Sequence, residues 1–317
     1  MTHTARSTLV FAAVLAVALA GSVAAGRRVE GMRSNARLED PLILASSKAV
    51  YRLSLGHRGL LADIYWTRAV QYFGERHHAG AEQYAMLAPF LDITTDLDPQ
   101  LTVAYQFGSI FLSQPPPEGA GQPAKAVALV EKGIRANPNQ WRMYFNLGWI
   151  EYSQQNYTAA SWAFARAADI PGAPPSMRMF AAIVAHSGND LGTARYLWSQ
   201  IYDSTTDKMV RANAVKHLEA LQVDEQVAVL ELAVQEFRKR TGRFPARPAE
   251  MAGLGWRVPQ TDTQGNPYRI MPGGRVEVQD PGALPFITRG LPPNQRPALL
   301  RPLTQVELRS FQKAVQP

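Results

Sequence analysis

Ala126, Ala160 and Ala194 stand 34 residues apart, and the residues that follow them keep the same step. Val130, Phe164 and Trp198 come four positions later; Gly133, Ala167 and Ile201 come seven later. Offsets of four and seven share one face of an α-helix. Each period therefore supplies a helix whose packed face starts with a methyl group and continues with a larger side chain. A fixed step of this length marks a helix–turn–helix repeat, one hairpin per period. A single hairpin cannot bury its apolar face, so successive hairpins stack into an array whose surface holds another molecule. The alanines let the two helices of a hairpin approach closely, and Phe164 and Trp198 fill the gap to the next hairpin. Burying each of these large side chains contributes roughly 1.5–3 kcal/mol, and Phe164→Ala is expected to cost about 3–5 kcal/mol.

At 317 residues the chain has room for two domains, and five segments are legible. Residues 1–26 are a membrane address. Within them TLVFAAVLAVALAGSVAA, at 8–25, carries no charge. As a helix it spans about 27 Å, just enough for a bilayer core. Two readings stay open: an uncleaved transmembrane helix with Arg27 and Arg28 at the far interface, or a signal peptide cut after Val23-Ala24-Ala25. The length exceeds a usual signal core and favours the anchor. Arg27, Arg28, Arg33 and Arg37 follow the span and only Arg6 precedes it, a bias that alone would hold the body in the cytoplasm. The cleavage-like ending argues for export instead. Residues 27–50 are polar and mixed, and read as a tether.

Residues 51–240 carry helical periodicity. A first helix is expected over 53–74, stopping at Gly74, and a second over 81–97, kinked or split at Pro89. Three repeats follow, at 101–138, 141–172 and 175–206, the first with its turn lengthened by PPPEGAGQP. A further helical pair, 208–221 and 225–240, is expected to cap the stack. From Thr241 the chain changes to glycine, proline and short apolar runs, which suggest small strands joined by turns over 241–280. Residues 281–317 read as a proline-rich tail with one candidate helix at 304–315.

The spacing of Leu147-Gly148, Tyr157, Ala160, Phe164 and Ala167 resembles the tetratricopeptide repeat family. SLGHRGLLADIYWTRAVQYFG, DITTDLDPQ and NLGWIEYSQQNYTAA look like membrane-anchored bacterial repeat proteins. The resemblance implies an all-α fold, a right-handed superhelix of helical hairpins whose first helices line a concave groove. Carried over by position, the groove residues are Tyr105 in the first repeat, Arg142, Phe145, Trp149 and Tyr152 in the second, and Met179, Ile183 and His186 in the third. Trp149 and Tyr152 are alternatively packing residues between repeats, because Tyr152 is displaced by one from the family's pattern. The packing set is Ala126, Ala160, Phe164, Ala194 and Trp198. Further on, Gly242-Arg243-Phe244-Pro245 and the run from Asp262 to Asn266-Pro267-Tyr268 are similar to the globular end of type II secretion major pseudopilins. Thr263 and Gln264 replace that family's Pro-Trp. This small α+β likeness points to an extracytoplasmic place and an envelope assembly; the alternative is a small sheet that shields the last repeat.

Chemistry is not prominent. With no cysteine there is no disulfide, thiolate metal site or cysteine nucleophile. No phosphate loop, HExxH or GxSxG occurs. Asp92, Asp96 and Asp98 lack the spacing of a calcium loop and read as a helix end before Pro99. His77 and His78 diverge by about 100° on a helix, and His57 and His186 have no companion at ligand spacing. The net charge is +7, and residues 241–317 hold ten Arg/Lys against five Asp/Glu, scattered singly. A stripe for nucleic acid is absent, so nucleic acid is not an expected partner. The sequence thus predicts a non-enzymatic scaffold without cofactor or metal. It is expected to bind a peptide or protein partner, in a secretion, pilus or envelope assembly. Single-pass placement in a bacterial inner membrane with a periplasmic body is expected; a cytoplasmic body, or secretion after leader cleavage, stays open. The alternative function is a structural spacer or oligomerisation module with an empty groove.

Overall fold

A computed structural model describes residues 47–253 and 255–295, with residue 15 and residues 18–24 and 27–28. Most of the 8–25 stretch, the greater part of the tether and the candidate helix at 304–315 lie outside the described residues. Among the described residues no helix is long and apolar enough to cross a membrane. The chain is predominantly helical and divides into two compact units, one running to Leu101 with Pro116–Ala120, the other comprising Thr102–Pro115 and everything from Gly121.

The first unit contains α1 (Ser47–Leu53), α2 (Arg58–His78) and α3 (Leu87–Leu97). Val50, Ala62, Ile93 and Leu97 form its core, with Leu61, Tyr65 and Leu101 against them. Tyr72 meets Phe90 edge to face, ring centroids 5.9 Å apart. Two sequence expectations change here. Gly74 does not stop α2, which continues to His78; an isolated glycine costs a helix only about 1 kcal/mol. The second helix starts at Leu87, not 81, and Pro89 then falls in the first turn, where a missing N–H leaves no intrahelical bond unmade. The Pro117 carbonyl accepts the Tyr84 hydroxyl at 2.6 Å and lies 3.0 Å from Nδ1 of His77, so His77 helps hold the 116–120 loop.

The second unit opens with three helical hairpins: α4 (Thr102–Ser113) with α5 (Pro123–Ala136), α6 (Trp141–Ser153) with α7 (Tyr157–Ala168), and α8 (Ser176–Ser187) with α9 (Leu191–Ser204). The second helices start at Pro123, Tyr157 and Leu191, so they repeat at the step read from the alanines. The turns repeat as well. Gly121, Gln155 and Asn189, two residues before each start, all take left-handed backbone, with φ of 62°, 62° and 58°. The Asn156 and Asp190 N–H groups each reach back to a carbonyl five residues earlier, Glu151 and Ala185, at 2.9 Å, which closes the preceding helix.

Ala126, Ala160 and Ala194 are completely buried, and Val130, Phe164 and Trp198 nearly so. Glycine extends the steric logic. A Cβ on Gly148 would lie 2.7 Å from the Phe164 ring, and one on Gly133 would lie 2.8 Å from the Tyr105 ring. Each aromatic ring therefore rests directly on a helix backbone.

The expected pair after the third hairpin is one continuous helix, α10 (Lys208–Thr241). Nothing between its ends contains glycine or proline, so no breaker divides it. The Asp207 carboxylate caps its start, accepting from the Met209 and Val210 N–H groups at 2.7 and 3.2 Å. Gly242, at φ 80°, ends it. The chain then turns back through α11 (Pro248–Ala252) and a two-stranded antiparallel sheet, β1 (Arg269–Ile270) and β2 (Val276–Glu277), with Arg269 opposite Glu277.

Trp256, Tyr268, Val276, Val278, Leu284 and Ile287 share one core with Val223, Val227, Leu230, Val234 and Phe237 of α10. Leu291 packs against the same core. The packed segment therefore runs past residue 280, where the sequence placed the start of a tail. The 262–268 run forms a tight turn in which Asp262 Oδ1 accepts the Gln264 and Asn266 N–H groups, both at 2.9 Å.

Candidate functional site

The first helices of the second and third hairpins carry an aromatic face. Trp149 is 46% exposed, Tyr152 38% and Ile183 40%. Trp149 is braced edge to face by Phe145 (6.2 Å), Tyr152 (5.6 Å) and Phe164 (6.1 Å). Phe180 of α8 stands 6.5 Å from the Trp149 ring and 5.8 Å from Phe164, and Ile183 lies one turn beyond it. An exposed indole is thus mounted on rings that lead back to the buried Phe164. Such rings lose little freedom when a ligand covers them.

The other expected groove residues are less open or differently placed. Phe145 is half-buried within that ring cluster. Arg142 is exposed, its guanidinium 4.6 Å above the Trp141 ring. Met179 is half-buried and lines a separate cleft of about 560 Å³ with Arg178, Ile201, Asp207 and Val210. Two assignments are corrected. Tyr105 is fully buried, its ring seated over Gly133, so it packs the first hairpin and cannot face a ligand. His186 is 4% exposed because α10 and the C-terminal segment cover it.

What covers His186 is a polar clasp that the sequence reading missed. Asp224 sits mid-way along α10 and is completely buried. His186 Nε2 lies 2.7 Å from its Oδ2. The Thr288 N–H donates to both carboxylate oxygens at 3.0 Å, the Arg289 N–H to Oδ1 at 2.9 Å, and the Thr288 hydroxyl to Oδ2. Arg289 also donates to the Asn189 side-chain carbonyl at 3.0 Å, with Glu231 4.0 Å away. Three donors of residues 288–289, two backbone N–H groups and the Thr288 hydroxyl, converge on the Asp224 carboxylate, so the cluster fastens this segment to α10. Among the described residues no group of His, Asp and Glu is arranged to hold a metal ion.

Beside the clasp, His217 is stacked between Trp198 and Phe286, ring centroids 3.9 Å away on each side. It is 6% exposed, and its Nδ1 is buried without a hydrogen-bond partner. Burial, and secondarily the nearby His186, push its pKa down from about 6.5 to about 4. His217 and Asp224 are seven residues apart, hence on one face of α10. That spacing within an otherwise apolar stripe is the signal that sequence reasoning had available.

Compared with known proteins, the chain matches no family model and no curated protein significantly.

Proposed function

We propose that the chain is a non-enzymatic, membrane-held scaffold of the tetratricopeptide type whose α6–α8 face takes up a peptide segment of a protein partner. The observation that carries this reading is the braced, half-exposed Trp149 with Tyr152 and Ile183 beside it. The repeated helix starts and turns, and the buried alanines at the same step, support the repeat class and its right-handed superhelix. The uncharged 8–25 stretch supports single-pass placement in a bacterial inner membrane, and its cleavage-like ending supports a periplasmic body. The pseudopilin-like 262–268 run supports a place in an envelope or secretion assembly. Aromatic anchors at the centre of an interface typically carry 2 kcal/mol or more, so Trp149→Ala is expected to weaken partner binding about 30-fold.

Site-specific photo-cross-linking in native membranes tests the reading. A cross-linker at Tyr152 is expected to capture a defined protein that is lost in Trp149→Ala and is not captured from exposed Tyr196 on α9. The same set of adducts from both positions, unaffected by Trp149→Ala, overturns it.

A further inference from the structure

The corner between α1 and α2 has an unusual surface. Leu55 is 87% exposed, Leu60 61%, Tyr51 50% and Ile64 41%. Single exposed apolar residues are ordinary; four at one corner are not. Leu55 also adopts a left-handed backbone, φ 46°, followed by Gly56 at φ 94°. A left-handed leucine is disfavoured, and here the strain holds an apolar side chain out in solvent with no burial in return.

Basic side chains predominate around this corner, and the nearest acid along the chain is the exposed Asp63 of α2. Lys48, Arg52 and Arg58 are exposed on it, and no Asp or Glu occurs between Asp40 and Asp63. The Arg58 guanidinium lies 5.2 Å over the Tyr51 ring and reaches its hydroxyl at 3.4 Å. Apolar tips set among basic side chains match the interface of an anionic bilayer, where acyl chains lie just below negative headgroups. The corner also follows the uncharged 8–25 stretch by only 21 residues, which reach at most about 75 Å when fully extended.

We propose that the α1–α2 corner is a membrane-surface contact. Leu55, Leu60 and Tyr51 enter the interface of an anionic leaflet, and Lys48, Arg52 and Arg58 lie on its headgroups. The proposal rests on reading residues 8–25 as a membrane span. Each basic side chain near such a surface raises partitioning about fivefold, so the three together give roughly a hundredfold. The contact would fix how the anchored body sits against the bilayer.

The absence of cysteine makes the test direct. Leu55→Cys, with Leu60→Cys as a second site, carries an environment-sensitive fluorophore in the full chain reconstituted into phosphatidylglycerol vesicles containing spin-labelled lipid. Tyr196→Cys reports a face away from the corner, and Leu15→Cys reports the span. Quenching at 55 and 60, well above that at 196 and reduced by Lys48→Gln, Arg52→Gln and Arg58→Gln together or by phosphatidylcholine alone, is the expected result. Quenching at 15 with none at 55 or 60 overturns the corner and leaves the anchor standing. Quenching at 55 and 60 without 15 upholds the corner and removes the anchor. No quenching at any of these sites overturns both.

Discussion

His217→Phe should remove an acid-sensitive part of the stability of the second unit. Phenylalanine keeps the ring sandwich between Trp198 and Phe286 and deletes the buried, unpartnered Nδ1. In the folded chain His217 binds a proton only near pH 4, whereas in the unfolded chain it does so near 6.5. The unfolded state therefore takes up the proton first. The stability associated with neutral His217 is intact above about pH 6.5 and falls as the pH drops towards 4. The loss is about 2 kcal/mol at pH 5 and approaches about 3 kcal/mol below pH 4, at 1.36 kcal/mol per unit. His186, with its Asp224 partner, is present beside residue 217 in both proteins, so only the difference between wild type and variant isolates residue 217. The assay is urea unfolding followed by tryptophan fluorescence at about pH 7.5, 6 and 5. The gap between the two stability curves should shift by about 2 kcal/mol in the variant's favour between the first and last conditions. Parallel curves, or a His217 ring resonance that titrates near 6.5 in the folded protein, would refute the reasoning.

Other outcomes follow from single contacts. Gly148→Ala drives a methyl into the Phe164 ring and should destabilise by about 1–3 kcal/mol, whereas Gly74→Ala, inside α2 with nothing within 4 Å, should stabilise by up to about 1 kcal/mol; paired thermal melts check both. Asp224→Ala leaves the Thr288 and Arg289 donors buried without an acceptor and should cost about 3–5 kcal/mol. If that loss is confined to release of the C-terminal segment, trypsin cleavage after Arg289 should accelerate on the order of a hundredfold or more; unchanged cleavage would mean that the apolar core alone holds the segment.

The repeat architecture was legible because close helix approach tolerates only small groups, and that demand recurs at a fixed step. Ala126, Ala160 and Ala194 all prove fully buried, and the left-handed turn residues keep the same spacing. Where the partner is distant in sequence the reading failed. Dividing 208–240 into helices at 208–221 and 225–240 leaves Asp224 in the break between them, off any packed face. Its donors lie 64 and 65 residues away, and no local pattern announces them. His186 was assigned to an open face for the same reason, since its cover comes from α10 and from residues beyond 280. Tyr105 was misplaced by register: the inserted prolines put Trp141 39 residues after Thr102, and position carried over from the family no longer tracked exposure.

These corrections narrow what a partner can touch. In the first hairpin Tyr105, Ser109 and Leu112 are all buried, with Asn146 of α6 donating to the Gln106 carbonyl and the Ser109 hydroxyl at 2.7 and 3.2 Å, while Phe107 and Ile110 stay open. In the third hairpin the face is closed at His186 by the clasp. Trp149, Tyr152 and Ile183 lie open on α6 and α8, and Trp149 and Ile183 are themselves one 34-residue step apart. An open patch closed off at His186 suits a short segment with two or three apolar anchors better than an extended chain threading the whole array. Its rings are held by the same Phe164 that packs on Gly148, so the surface that would recognise a partner and the contact that joins the two helices of a hairpin rest on one side chain.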